Sequence, residues 1–129
     1  MGIRVFHCDD SEAFTRLVAF WLAEHTDIEH AGQAHTAQGA LDAIPAAAPD
    51  VILIDCPPAL GLLTVNGLVA ADWALISSEA QYFALQGVNG ALEVVEQAKE
   101  FYNDDLEFLG VVMNIADMRT VHSLSLIHI

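Results

Sequence analysis

Residues 51–55 read Val-Ile-Leu-Ile-Asp, and two prolines, Pro57 and Pro58, follow after a single cysteine. A short continuous apolar run closed by turn residues describes a strand buried on both faces of a parallel sheet. Parallel strands need crossover connections, so this run commits the chain to helices laid on a sheet. It also sets the carboxylate of Asp55 at the C-terminal edge of the strand, where open α/β sheets bind ligands.

The rest of the chain keeps the matching rhythm. Residues 3–8 (IRVFHC) give a first strand that runs into Asp9 and Asp10. A helix follows over about 11–25, with Phe14, Leu17, Val18, Trp21 and Leu22 on one apolar stripe expected to be buried. Residues 28–34 form a weaker strand, and 36–44 a short helix ended by Pro45 and Pro49. Residues 60–71 read as a helix that Gly61 and Gly67 weaken. A fourth strand covers 73–77 and a fifth 106–114. Between them, a helix over 85–102 is expected to bury Val88, Ala91, Leu92, Val95 and Tyr102. Trp21 and Trp73 both fall on core-facing positions. This alternation predicts right-handed βαβ units. The expected architecture is one α/β domain over 1–129, flavodoxin-like, a three-layer doubly wound parallel sheet of five strands in the order 2-1-3-4-5.

Composition narrows the function classes. A chain of 129 residues with 54% apolar content can bury a core, and no apolar run reaches membrane-span length. No charged-then-apolar leader precedes the first strand, and two cysteines suit a reduced compartment, so a cytoplasmic protein is expected. The net charge is −14, with only Arg4, Arg16, Lys99 and Arg119 positive. Nucleic-acid binding needs clustered cations against phosphates, and this composition excludes it.

In that topology Asp9, Asp10 and Asp55 converge on the crevice between strands one and three. Three crowded carboxylates repel one another, and a hard divalent cation such as Mg²⁺ resolves the repulsion. With the metal in place, Asp55 can serve as a nucleophile toward a phosphoryl donor. A purely structural alternative is compatible with this: Asp9 and Asp10 cap the first helix, and Asp55 caps the loop after its strand. His7, Cys8 and Cys56 lack the spacing of a thiol–histidine metal site. The acidic cluster Asp104, Asp105 and Glu107 reads as a solvated loop.

On these features residues 3–55 resemble the first half of a response-regulator receiver domain. The resemblance implies Mg²⁺ at Asp9 and Asp10, and phosphate accepted by Asp55 from a histidine kinase. It also implies a strand-four hydroxyl, for which Ser77 or Ser78 stands. Two departures follow: Pro57 and Pro58 come after Asp55 with only Cys56 between, and the receiver lysine of strand five is missing from VVMNIAD.

Residues 50–123 resemble the middle of a ParA-type partition ATPase, a P-loop family that includes the MinD-like proteins. The motifs are DCPPALGLLTVNGLVAAD (55–72) and EAQYFALQG (79–87). This resemblance implies Asp55 as a Walker B-type acid near nucleotide-bound Mg²⁺, and Pro57 and Pro58 as responders to the γ-phosphate. Asn114 and Asp117 would be a nucleotide-base element. The family's phosphate loop of lysine and glycines has no counterpart, since strand one is followed by CDDSEAF and no Gly-Lys pair exists. The combined expectation is a partition-ATPase fragment without its phosphate loop, joined to a receiver-like half. It would bind Mg²⁺ in an acidic pocket and not hydrolyse ATP alone. The alternatives are a receiver phosphorylated at Asp55, and an inert scaffold or artefactual chimera with its crossover inside strand three. The last residues, SLSLIHI (123–129), resemble adapter read-through and are expected to be a non-native tail.

Overall fold

A computed structural model of the chain describes residues 2–57, 59–79 and 84–114. Its elements are β1 (Ile3–Cys8), α1 (Glu12–Ala23), β2 (Ile28–Ala34), α2 (Ala37–Ala47), β3 (Val51–Ile54), α3 (Leu62–Ala70), β4 (Trp73–Glu79), α4 (Ala84–Phe101) and β5 (Glu107–Asn114). The chain divides into two compact units, Met1–Cys56 and Pro57–Ile129.

The first unit is a parallel sheet of order β2-β1-β3. Phe6 and His7 of its central strand are buried. The β1–β2 ladder shifts register between Val5 and Phe6, and Gly32 opposite Phe6 has φ +153°. A Cβ on Gly32 would come within 2.9 Å of the Phe6 ring, so glycine is what lets that ring lie against the bulge. Asp50 brings β3 alongside β1: its N–H donates to the Arg4 carbonyl and its carboxylate accepts the Arg4 N–H, both at 2.8 Å.

Helix α1 starts where Ser11 Oγ accepts the Phe14 N–H at 3.3 Å, and α2 where Thr36 Oγ1 accepts the Gly39 N–H at 3.1 Å. These are ordinary N-caps. Pro45, expected to end α2, lies inside it. The backbone bond it forgoes would go to Leu41, an exposed residue whose carbonyl water can serve. The helix ends instead at Ala48, in the left-handed region, with Pro49 just beyond.

Two burial expectations fail in this unit. Along α1, Trp21 is 51% exposed, and Phe14 and Leu17 are exposed with it. The helix packs chiefly on β2, an edge strand, so the outer part of its stripe has no strand beneath it. All four residues of β3 are exposed rather than buried on both faces, because the helices of this unit pack mainly on β2 and β1.

The second unit pairs β4 and β5 in parallel, from Trp73 opposite Glu107 to Glu79 opposite Asn114. Its core is Ala74, Val95, Ala98 and Leu106, with Leu68 and Ala71 packed against them. The Asn103 side-chain amide donates to the carbonyls of Leu68 (3.1 Å), Val69 (3.3 Å) and Ala71 (2.8 Å). It thereby satisfies acceptors that the end of α3 leaves open. Trp73 is 58% exposed against expectation, its indole N–H held by Glu107 at 3.3 Å. Tyr102 is exposed too, beyond the last turn of α4. The five described strands thus form a β2-β1-β3 sheet and a β4-β5 pair.

Candidate functional site

The C-terminal edge of the first unit's sheet gathers the chemistry. Parallel β1 and β3 end together, Cys8 opposite Ile54, and the Asp55 N–H continues the ladder onto the Cys8 carbonyl at 2.9 Å. Matched strand ends therefore bring Asp9 and Asp55 side by side, close enough for the Asp9 carboxyl to raise the Asp55 pKa. Asp9 Oδ1 accepts the Ser11 N–H at 2.6 Å, and Asp9 Oδ2 lies 4.0 Å from His7 Nε2. The His7 side chain is 1% exposed and that of Asp9 7%.

Electrostatics follow from this crowding. Burial raises the Asp55 pKa above the ordinary carboxyl range, and Asp9 pushes it the same way. His7 and the Cys56 N–H pull it back only in part. Burial also lowers the His7 pKa, against the attraction of Asp9 and Asp55 and with help from His30 and His35. His7 Nδ1 has no hydrogen-bond partner. Burial raises the pKa of Cys8, and burial together with the Asp55 charge raises that of Cys56. Both thiols are free, and in protonated form they are weak metal ligands.

No arginine of this unit answers the pair. Arg4 stands at the opposite end of β1 and faces Glu29 at 3.6 Å, and Arg16 pairs with Glu12 one turn away on α1. Asp10 is exposed in the loop before Ser11. Among the described residues no three His, Cys, Asp or Glu side chains are grouped to hold a metal ion. A cation at this edge would thus have two carboxylates and keep most of its water, which is the coordination Mg²⁺ accepts.

The other expected residues belong to the second unit. The Pro57 carbonyl accepts the Thr64 hydroxyl at 3.4 Å, shared with the Ala59 carbonyl at 3.0 Å. Ser77 is exposed, and the Ser78 hydroxyl donates to the Glu79 carbonyl at 3.3 Å. Asn114 closes β5 opposite Glu79. Pro58 and Asp117 lie outside the described residues. A groove of about 370 Å³ between α3 and α4, lined by Leu60, Leu62, Val65, Val94, Ala98 and Tyr102 among others, offers apolar walls and no carboxylate. No helix among the described residues is long and apolar enough to cross a membrane.

His35 was not visible as a site residue in the sequence. Its Nδ1 lies 3.1 Å from the Asp9 carbonyl oxygen. The available signal was positional: it is the first residue beyond β2, level with the residue that follows β1.

A family model described as an AAA domain matches residues 21–108. That stretch begins within α1 and runs through residue 50, where the sequence reading places the change from receiver to partition-ATPase resemblance. The chain is similar to the sporulation initiation inhibitor protein Soj of Bacillus subtilis, at 44% identity over 71 residues, covering 55% of this chain and 28% of that protein. It is similar to the chromosome partitioning protein ParA of Caulobacter vibrioides, at 38% identity over 90 residues, covering 69% and 34%. The chain spans about a quarter to a third of the length of these relatives. Among solved structures, cobyrinic acid a,c-diamide synthase from Mycobacterium smegmatis with bound ATP analogue and magnesium is 35% identical. It superposes with a TM-score of 0.59 over 68% of this chain and 36% of that one. The same synthase with ADP and magnesium matches 98% of this chain and 68% of its own, with a TM-score of 0.67 at 21% identity, a likeness of fold. The chain has an α/β fold with parallel sheets, and it shares that fold with the synthase.

Proposed function

The chain belongs to the AAA-domain family matched over residues 21–108, and on that premise we propose that it is a segment of a ParA-type partition ATPase. In this reading it holds Mg²⁺ through Asp9 and Asp55 and does not hydrolyse ATP alone. The relatives named Soj and ParA support the partition-ATPase part. The five-stranded order 2-1-3-4-5 belongs to the same reading, with β2-β1-β3 and β4-β5 as its two parts. So do the assignments of Pro57, Pro58, Asn114 and Asp117 to the nucleotide, and a cytoplasmic location.

The Mg²⁺ assignment is carried by one observation: the carboxyl groups of Asp9 and Asp55 lie side by side at the sheet edge, with no arginine of the first unit facing them. Bound there, the cation would neutralise the pair and offer open positions to phosphate oxygens. Solved relatives of this fold hold magnesium with ATP analogue or ADP. Against turnover stands the segment CDDSEAF. Phosphate cradles are built from free backbone N–H groups at a helix N-terminus and a lysine. Here the N–H groups of Ser11 and Phe14 are taken by Asp9 Oδ1 and Ser11 Oγ, and the loop is anionic.

The same carboxyl pair favours a second reading, in which Asp55 accepts a phosphoryl group from a histidine kinase or small phosphodonor, with Ser77 or Ser78 as the assisting hydroxyl. The acidic surroundings that raise the Asp55 pKa also disfavour an added anionic phosphoryl group, and the family match across residue 50 weighs toward the first reading. ATP turnover and acetyl-phosphate labelling separate the cases. We expect background hydrolysis, unchanged by Asp55→Ala, and slow, substoichiometric labelling by intact mass. Turnover abolished by Asp55→Ala contradicts the absence of autonomous activity. Rapid stoichiometric labelling at Asp55 restores the receiver.

A further inference from the structure

We infer that His35 is a positioning residue that fixes the Asp9 carboxylate against Asp55. The inference deepens the Mg²⁺ reading and rests on it for its metal consequence. β1 and β2 stay in register to Cys8 opposite Ala34, and the Asp9 N–H still donates to the Ala34 carbonyl at 3.1 Å. One residue later the backbone ladder ends, because the chain turns at Thr36, whose side chain caps α2. The Asp9 carbonyl is thereby deprived of a strand partner, and the half-buried His35 side chain supplies one through Nδ1 at 3.1 Å. A carbonyl oxygen only accepts, so Nδ1 carries the proton and the tautomer is set.

Asp9 is therefore clamped on both sides by consecutive residues, its N–H by Ala34 and its C=O by His35. The peptide that follows Asp9 cannot rotate without breaking the His35 bond. With that peptide fixed, the Ser11 N–H meets Asp9 Oδ1 at 2.6 Å, and Oδ2 remains on the side of His7, 4.0 Å away. The carboxyl then lies beside that of Asp55. His35 bonds the backbone of Asp9 and not its carboxyl. It acts through the Asp9 backbone, as outer partners of metal ligands do.

The test uses His35→Ala, His35→Gln and His35→Asn in the full chain. The amide nitrogen of asparagine takes the place of Nδ1, whereas glutamine and alanine put no donor there. Two quantities are read: Mg²⁺ affinity by calorimetry, with MgCl₂ as the only ligand, and amide hydrogen exchange of Ser11 without metal, since its N–H is held by Asp9 Oδ1. Melting of each metal-free variant runs alongside. We expect His35→Ala and His35→Gln to weaken Mg²⁺ binding about tenfold and to speed Ser11 exchange. His35→Asn should keep both wild-type values. Lower melting of His35→Ala with Mg²⁺ affinity and Ser11 exchange unmoved makes His35 a structural residue only and overturns the inference. Equal losses in the Ala and Asn variants overturn it too. A wild type that shows no saturable Mg²⁺ binding removes the metal reading by itself, and Ser11 exchange then decides the role of His35.

Discussion

Asp55 and Asp9 share a sheet edge at which no arginine of the first unit faces them. A carboxyl whose folded pKa is raised takes up more protons in the native state than in the unfolded chain. Its cost to stability is absent below the ordinary value of 3.8, grows as pH rises from there to the raised value, and is full above it. Metal-free Asp55→Asn should therefore melt above wild type at pH 7, with the advantage shrinking as pH falls toward 4. Thermal melts in EDTA across that range check the sign; an advantage that grows on acidification would mean that Asp55 is stabilised in its charged form. That both acids end neighbouring strands was legible from the sequence, because equal strand lengths and a parallel sheet bring their ends level. That Asp10 stays apart was not: Asp9 turns inward under the bonds of Ala34, His35 and Ser11, and the next residue faces water.

Elements were the most legible level, and burial the least. Strand β2 and the start of β1 fall where apolar runs and turn residues put them, and Ser11 and Thr36 cap helices that begin at the next residue or within one of it. Apolar stripes reveal which face of a helix is able to be buried, whereas the strand beneath decides whether it is. The α1 stripe lies over an edge strand and stays half open. Side chains that mend helix ends across long sequence distances leave no local trace either, and Asn103 is the plainest case. Its amide serves three carbonyls around the end of α3, more than thirty residues earlier in the chain. Asn103→Ala should cost about 1–3 kcal/mol, the penalty for leaving such groups unpaired. Thr36→Ala, which removes an N-cap, should cost about 1 kcal/mol. Urea unfolding of both variants ranks them. Asn103→Ala within error of wild type would show that water replaces the amide without cost.

At the scale of the whole molecule, an α/β fold is present and the segment after β1 is the acidic CDDSEAF. The 70-odd residues that carry the partition-ATPase motifs were readable because DCPP and EAQYFALQG are specific strings. The family match reaches further upstream, to residue 21, through segments that carry no such specific string. With a net charge of −14, the chain draws divalent cations to its surface diffusely, so a specific site has to be told from that background. Calorimetric titration of Mg²⁺ into wild type, Asp55→Asn and Asp104→Asn does so, because both substitutions remove one negative charge and Asp104 lies in an exposed loop. The account predicts saturable single-site binding by wild type and Asp104→Asn, and its loss in Asp55→Asn. Equal binding by all three would contradict it and place the cation elsewhere on the acidic surface.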